Sequence, residues 1–349
     1  MRKMFFYLLL ASLAISVNAQ FNAEKTPMIT KSLSADNIKS ILAETSGGNI
    51  SVSGVSAAQA KIEVYVVPNN YKKNALSESE IKTKMNSDYD VVVEVKNNKL
   101  TATAKAKDRK MDWKKGLTFS YKIYVPGNVS TDLTTSGGNI ELSDLTGDQK
   151  FTTSGGNLEL EKVNGKLDGT TSGGNIHYED SKSDDAELTT SGGNIEVEKC
   201  EGKLRITTSG GSLHLTDLKG TIKASTSGGN VNGKNISGEL NASTSGGNVH
   251  LEDMTCSLET ATSGGHINVS IKELGKYVRI SNSGGNIDLE VPGGKAMDLD
   301  LAGDKVKTEG KFSNFDGKFE DDRITGKLNG GGALVKVDAG SGKVSLKLR

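Results

Sequence analysis

The sequence predicts an all-β protein whose main body is a parallel β-helix, a solenoid with ~18 residues in each coil. Three observations predict this fold: a recurring tripeptide, apolar residues spaced two apart, and no window that keeps a helical period. The tripeptide Ser-Gly-Gly begins ten times, at Ser46, Ser136, Ser154, Ser172, Ser191, Ser209, Ser227, Ser245, Ser263 and Ser283. From Ser136 onward the steps are 18, 18, 19, 18, 18, 18, 18 and 20 residues. Steps this regular are typical of repeat proteins.

Each repeat unit contains two short strands. With the motif serine numbered 0, apolar residues recur at −5 and −3, as in Leu204 and Ile206, and at +4 and +6, as in Ile195 and Val197. A third apolar column at +9 contains Leu145, Val163, Cys200, Leu218, Ile236 and Met254. Glycine often follows at +11, as Gly147, Gly165, Gly202, Gly220 and Gly238. A two-strand unit cannot bury its apolar face alone, so coils stacked ~4.8 Å apart are expected to enclose one interior.

The corners of each coil are predicted at Ser-Gly-Gly-Asn and near the +11 glycine. We expect the glycines to adopt positive φ, which a Cβ would disfavour. Asn occupies +3 in eight of the ten motifs, with Ser212 and His266 as the exceptions, and is expected to hydrogen-bond to its copy in the next coil. A right-handed coil is expected because right-handed crossovers dominate parallel sheets. An 18-residue coil also suits the three-sided left-handed type.

The N-terminal segment predicts export. Residues 1–19 resemble a signal peptide, with Arg2 and Lys3 before an apolar run from Phe5 to Val17, and Ala19 at the cleavage site. This run is too short to span a membrane. The mature protein is therefore expected in the periplasm, on the cell surface or outside the cell, without a membrane span.

The remaining chain divides into four predicted parts. Residues 20–56 form a first coil, and residues 57–130 an antiparallel insert that caps the N-terminal end of the array. In this insert we expect strands at 61–67, 89–95, 100–106 and 117–125, a hairpin turn at Asn97-Asn98, and a helix over 78–86 that begins with a Ser77/Glu80 capping box. Residues 131–291 form the solenoid, and residues 292–349 the closing coils and a C-terminal cap.

Composition disfavours one class of partner, and the cysteine spacing rules out a disulfide. The formal net charge is zero, which disfavours nucleic acid as a partner. Cys200 and Cys256 lie three coils apart, or ~14 Å, too far for a disulfide. Cys200 lies in an inward column and is expected to be a buried apolar residue.

Candidate binding residues lie in the outward columns. We define the acidic face as positions +5 and +7, which carry Glu141, Glu159, Glu161, Glu179, Glu196, Glu198, Glu252, Asp288 and Glu290. This face could attract a divalent cation weakly or bind a basic partner, or it could be a solvated surface whose charge Lys162 and Lys199 relieve. His177, His214 and His250 also lie at +5, spaced ~9.6 Å apart, which is too far for two of them to ligate one metal ion.

The other strand of each unit, which precedes the motif, presents an outward column of hydroxyl groups. We define the hydroxyl column as position −2, with Thr134, Thr152, Thr170, Thr189 and Thr207. Charged residues lie beside it at −4, namely Asp132, Lys150, Arg205 and Lys223. Ser225, Ser243 and Ala261 replace the threonines farther along. A flat hydroxyl array resembles ice-binding solenoids in outline, but these charges and replacements disfavour ice binding. Thr and Ser also suit strands and corners in general.

The Thr-Ser-Gly-Gly-Asn-Ile units, the insert after one early unit, and the ending Lys327-Leu328-Asn329-Gly330-Gly331-Gly332 resemble the putative-adhesin family of exported β-strand-repeat proteins. The resemblance covers nearly all of the mature chain, and it implies the solenoid fold without supplying catalytic residues. We therefore expect a non-enzymatic adhesin or envelope scaffold that binds a protein or glycan. No catalytic, cofactor-binding or metal-binding residue is assigned, and no cofactor is expected. The alternatives are a polysaccharide-acting β-helix enzyme and a cation-binding, stress-related envelope protein.

Overall fold

The computed structural model describes residues 26–69, 76–108 and 110–349, and the predicted signal peptide lies outside them. The described chain is almost entirely β-structure, with strands hydrogen-bonded into one continuous sheet that coils on itself. This confirms the predicted all-β solenoid. The hand of the coil stays a prediction.

The described residues of the N-terminal part form seven strands and one α-helix. Their bounds are β1 (Ile29–Ser32), β2 (Ser40–Glu44), β3 (Ile50–Gly54), β4 (Lys61–Pro68), α1 (Glu78–Asp88), β5 (Tyr89–Lys96), β6 (Lys99–Ala106) and β7 (Leu117–Val125). Short 3-10 turns lie at Ala57–Gln59 and Trp113–Lys115. The predicted capping box at Ser77 and Glu80 is present, and the β5–β6 turn at Asn97 and Asn98 has positive φ.

The repeat region contains fourteen strands in the described chain. They are β8 (Ser130–Thr134), β9 (Ile140–Thr146), β10 (Gln149–Thr152), β11 (Leu158–Asn164), β12 (Lys166–Thr171), β13 (Ile176–Glu179), β14 (Lys182–Thr190), β15 (Ile195–Glu198), β16 (Glu201–Thr208), β17 (Leu213–Ser225), β18 (Val231–Ser243), β19 (Val249–Thr262), β20 (Ile267–Asn282) and β21 (Ile287–Val291). Each coil pairs in parallel with the next one, so Leu213 lies beside Val231 and Ile222 beside Leu240. The predicted inward columns are buried, including Leu204, Ile206 and Cys200. Both cysteines are free, as the coil spacing predicts, and both are buried, as expected for Cys200.

The motif corner is held by two hydrogen-bond ladders. The Asn side chain at +3 accepts from the backbone N–H of its counterpart in the next coil, as between Asn157 Oδ1 and Asn175 N at 2.9 Å. This confirms the predicted ladder, and Ser212 Oγ continues it by accepting from Asn230 N. The second ladder comes from the buried Thr at −1. Thr208 Oγ1 donates to Gly193 O at 2.9 Å and accepts from Gly211 N at 3.2 Å.

The motif glycines have a different role from the predicted one. Positive φ is found at the +11 glycines, for example 142° at Gly147, but not at the Ser-Gly-Gly glycines. The prediction was therefore correct for the +11 glycines and wrong for the motif. A Cβ on the second motif glycine, such as Gly193, would instead overlap the carbonyl of Gly174 in the coil before. Close stacking of backbone on backbone excludes a side chain there.

A further bend lies at +8, which the sequence did not reveal. Seven successive coils place a non-glycine residue there with φ between 50° and 57°: Asp144, Lys162, Asp180, Lys199, Asp217, Asn235 and Asp253. Asp and Asn tolerate this left-handed conformation better than other side chains. The bend lets the inward residue at +9 turn back toward the core before the +11 glycine.

The insert caps the first coil in a mixed arrangement. Its strands pair antiparallel with each other, as β4 with β7 and β5 with β6, and β1 joins β4. However, β6 and β7 pair in parallel with β2 and β3, whose other edges pair with β8 and β9. Two strands of the insert thus occupy the place of a preceding coil.

The C-terminal part departs from simple sequential stacking. It contains β22 (Met297–Glu309), β23 (Phe315–Phe319), β24 (Arg323–Leu328) and β25 (Ala333–Leu348). The last strand, β25, lies between the Ser283 coil and β22, pairing in parallel with β20 and β21 on one side and with β22 on the other. The chain therefore forms β22 one strand position away from the Ser283 coil and adds β23 and β24 as antiparallel strands beyond it. It then returns as β25, which fills the position between the Ser283 coil and β22.

Candidate binding faces

The acidic face has the predicted alignment. Parallel register places Glu141, Glu159, His177, Glu196 and His214 as neighbours in five successive coils. Because adjacent strands are ~4.8 Å apart, each carboxylate lies close to the next ionisable group along the stack.

Two of these carboxylates lie in a setting that disfavours their charge. Burial raises the pKa of Glu159, and the carboxylates of Glu141, Glu179 and Glu196 raise it further, while His177 acts in the opposite direction. Burial also raises the pKa of Glu141, although Lys122 lowers it. Both side chains would therefore gain from a proton or from a nearby cation.

The histidines of this face contact carboxylates. His177 Nε2 lies 3.6 Å from Glu179 Oε1, and its Nδ1 lies 3.5 Å from Glu196 Oε2. His250 Nε2 lies 2.8 Å from Glu252 Oε1. As predicted, a full coil separates His177 from His214, since Glu196 lies between them.

The lysines near this face have separate partners. Lys162 pairs with Glu161, a member of the acidic face, whereas Lys199 Nζ lies 4.0 Å from Asp180 at the +8 bend. Within the described part of the chain, no group of three or more His, Cys, Asp or Glu side chains is placed to hold a metal ion.

The hydroxyl column is also aligned as predicted. Thr134, Thr152, Thr170, Thr189 and Thr207 are neighbours in successive strands. Beside this column, Arg205 Nη1 contacts Glu187 Oε2 of the coil before at 3.2 Å. The charged −4 column thus joins coils as well as facing solvent.

Two shallow grooves of the described chain lie on the side of the hydroxyl column. The groove near the N-terminal end has a volume of about 380 Å³ and is lined by charged residues that include Lys99, Asp132, Lys150 and Asp168.

The groove near the C-terminal end has a volume of about 480 Å³, and Asn241, Ser243, Glu259, Arg279 and Lys336 are among its lining residues. Its lining residues come from four strands, β18, β19, β20 and β25, and their polar side chains offer hydrogen-bond donors and acceptors.

Sequence reasoning missed the longer side chains of the C-terminal groove, Asn241, Glu259, Arg279 and Lys336. Arg279 lies over the ring of Tyr277, 4.3 Å from its centroid, and Tyr277 Oη donates to Glu239 Oε1 at 2.9 Å. The −4 column continues through Asn241, Glu259 and Arg279, so it contained a signal for three of them. Lys336 could not be placed, because its strand enters the stack out of chain order.

These features define the class of protein: a capped parallel β-solenoid with polar outward faces and an apolar interior. The chain belongs to the Toastrack DUF4097 family, which it matches over residues 60–234 and 237–347. It is a β-solenoid of unknown function.

Comparisons with individual proteins contribute less to this assignment than the family match does. No curated protein matches the chain. A solved structure described as a putative adhesin from Bacteroides fragilis NCTC 9343 is 12% identical, with a TM-score of 0.31, covering 92% of this chain and 96% of that one. A putative cell adhesion protein from Clostridium sporogenes ATCC 15579 is 11% identical, with a TM-score of 0.19, covering 92% and 98%. With TM-scores of this size, the family assignment rests on the Toastrack match.

Proposed function

We propose that this protein is an exported, non-enzymatic adhesin or envelope scaffold that holds an extended glycan or protein along the side that carries the hydroxyl column. The observation that carries this proposal is the alignment of hydroxyl, amide and charged side chains in columns beside two shallow grooves. Because the backbone ladder fixes the spacing of these columns, an extended polar partner could contact several coils at once.

Export is part of this proposal and rests on the N-terminal sequence. A basic start, an apolar run and a small-residue cleavage site precede the first coil. No helix within residues 26–69, 76–108 and 110–349 is long and apolar enough to cross a membrane.

A glycan panel tests the proposal against the enzymatic alternative. The protein is incubated with each polysaccharide, and both retained glycan and newly formed reducing ends are measured. Retention without new ends supports an adhesin, whereas new reducing ends would support a polysaccharide-acting enzyme. Asn241→Ala combined with Arg279→Ala should weaken retention, while Glu196→Gln on the acidic face serves as the matched control. If nothing is retained, a glycan partner is excluded and a protein partner remains.

Weak cation binding on the acidic face is a second candidate function. The raised pKa of Glu159, caused by burial and by neighbouring carboxylates, is the observation that favours it. A divalent cation would relieve the same repulsion that a proton relieves. Thermal melting with and without millimolar calcium tests this candidate. An increase that is lost in Glu159→Gln would support it, and an unchanged melting temperature would contradict it.

A further inference from the structure

The strand β23 forms an open edge at the C-terminal end of the molecule. Within the described residues β23 pairs only with β24, and β24 pairs on its other side with β22. Four of its five residues, Asp316 to Phe319, are exposed. One edge of β23 therefore presents backbone N–H and C=O groups to solvent, which is the usual template for adding another strand.

Next to this edge lies an aromatic cluster that is exposed at Phe319 and half-buried at Phe312 and Phe315. We call Phe312, Phe315 and Phe319 the phenylalanine patch. Their ring centroids are 4.7 to 6.1 Å apart in edge-on or tilted arrangements. Phe319 is 52% exposed and is one of three large apolar side chains exposed among the described residues.

Sheet register explains why Phe315 and Phe319 place apolar rings at this open edge. Phe315 lies beside Leu328, which lies beside Met297. Phe319 lies beside Ile324 in the same way. Directly paired residues share a face of a sheet, so Phe315 and Phe319 continue the core-facing columns beyond the last coil. The core-facing side of the sheet thus continues into β24 and β23, beyond the end of the coil interior.

We propose that this edge and the phenylalanine patch bind a second copy of the same chain, with the two β23 strands antiparallel. The sequence Phe315-Asp316-Gly317-Lys318-Phe319 is self-complementary in this orientation. Pairing about Gly317 places Asp316 opposite Lys318 of the second copy, twice in each dimer. It also places Phe315 opposite Phe319 of the second copy, so the two patches meet on one face.

The charges select this partner over others. A lysine on an edge strand disfavours pairing with an arbitrary strand, because its charge has to find a counterion. Only a strand with an acidic residue at the matching position removes that cost, and β23 itself provides one. Opposite charges directly across an antiparallel pair stabilise it, whereas like charges destabilise it. Because five residues form a small interface, the dimer should be weak and depend on concentration.

Charge exchange tests the proposal. The protein, expressed as the full chain, is examined by sedimentation velocity over a roughly hundredfold concentration range. We expect the wild type to shift from monomer to dimer as concentration rises. Lys318→Glu and Asp316→Lys should each weaken dimerisation at least roughly tenfold, because like charges then face each other. The double variant, Asp316→Lys with Lys318→Glu, should restore it.

Lys96→Glu, on the edge strand β5 at the opposite end, is the matched control and should leave dimerisation unchanged. Circular dichroism and melting temperature show that each variant is folded. A wild type that remains monomeric, an unaffected Lys318→Glu variant, or a double variant that fails to dimerise would each overturn the proposal. The adhesin proposal does not depend on this outcome.

Discussion

The second glycine of each Ser-Gly-Gly motif lies directly against the backbone of the previous coil, and the first does not. At Gly193 an added Cβ would overlap the carbonyl of Gly174, whereas at Gly192 it would lie 3.6 Å from Ser172 O, an ordinary contact. Neither glycine has positive φ. The two positions thus differ in available space and not in backbone conformation.

Gly193→Ala is therefore expected to lower the free energy of unfolding by about 2–3 kcal/mol, because the neighbouring backbone must shift. Gly192→Ala is the matched control and should change it by less than about 0.5 kcal/mol. Urea denaturation followed by circular dichroism measures both values. Equal effects at the two positions would show that backbone stacking does not distinguish them.

At the scale of the strands and bends, the conformation at +8 is a local weakness of some coils. Lys199 adopts φ of 50° there, in a region that costs most L-residues about 1–2 kcal/mol. Asn235 occupies the same position in a later coil at nearly the same φ. Asn tolerates this conformation better than Lys does. A coil with Lys at +8 therefore carries more backbone strain than a coil with Asn there.

Lys199→Asn is expected to raise the free energy of unfolding by about 0.5 kcal/mol or slightly more, since Asn reduces this strain. The ion pair that is lost, with Asp180 at 4.0 Å, is exposed and contributes little. Lys203→Asn, in the strand that follows, is the control and should bring no increase. Chemical denaturation compares the three proteins, and a destabilised Lys199→Asn would contradict this account of the bend.

The sequence predicted the coil interior well because a nearly constant step exposes each column to direct comparison. Leu204, Ile206 and Cys200 were assigned inward from spacing alone, and all three are buried. The +8 bend was missed because its column mixes Asp, Asn and Lys, a mixture that is typical of any solvent-exposed position. The columns of both outward faces were predictable for the same reason as the core, but the contacts of His177 with Glu179 and Glu196 depend on rotamers.

At the scale of the whole molecule, the order of the coils in space could not be predicted from their order in the chain. The strand β25 has the inward alternation of a coil, with Val335, Val337, Val344 and Leu346 buried. Nothing in that local pattern indicates that it pairs with β20 and β21 instead of following β24 outward. The partners of a strand are set by which edges remain open once the other coils have formed, and this is a non-local property. For the same reason, the repeat pattern does not predict that Lys336 lines the C-terminal groove.

The acidic face makes stability depend on pH through its more buried carboxylates, those of Glu141 and Glu159. Burial and neighbouring carboxylates raise the pKa of Glu159 in the folded protein. The folded state then holds this proton more tightly than the unfolded state, so the contribution of Glu159 is most favourable below its unfolded pKa. That contribution is lost as pH rises through the folded pKa, which leaves the charged carboxylate destabilising at neutral pH.

Glu159→Gln is therefore expected to raise the melting temperature at pH 7 by roughly 1–2 °C, with a smaller increase at pH 4, where the wild-type carboxyl is largely protonated. Glu161→Gln is the control on the same strand, because the Glu161 side chain is exposed and pairs with Lys162. Its substitution should bring no increase at pH 7. Melting curves at both pH values measure these differences. An increase for Glu159→Gln that is equal at pH 4 and pH 7 would mean that packing, and not ionisation, is responsible.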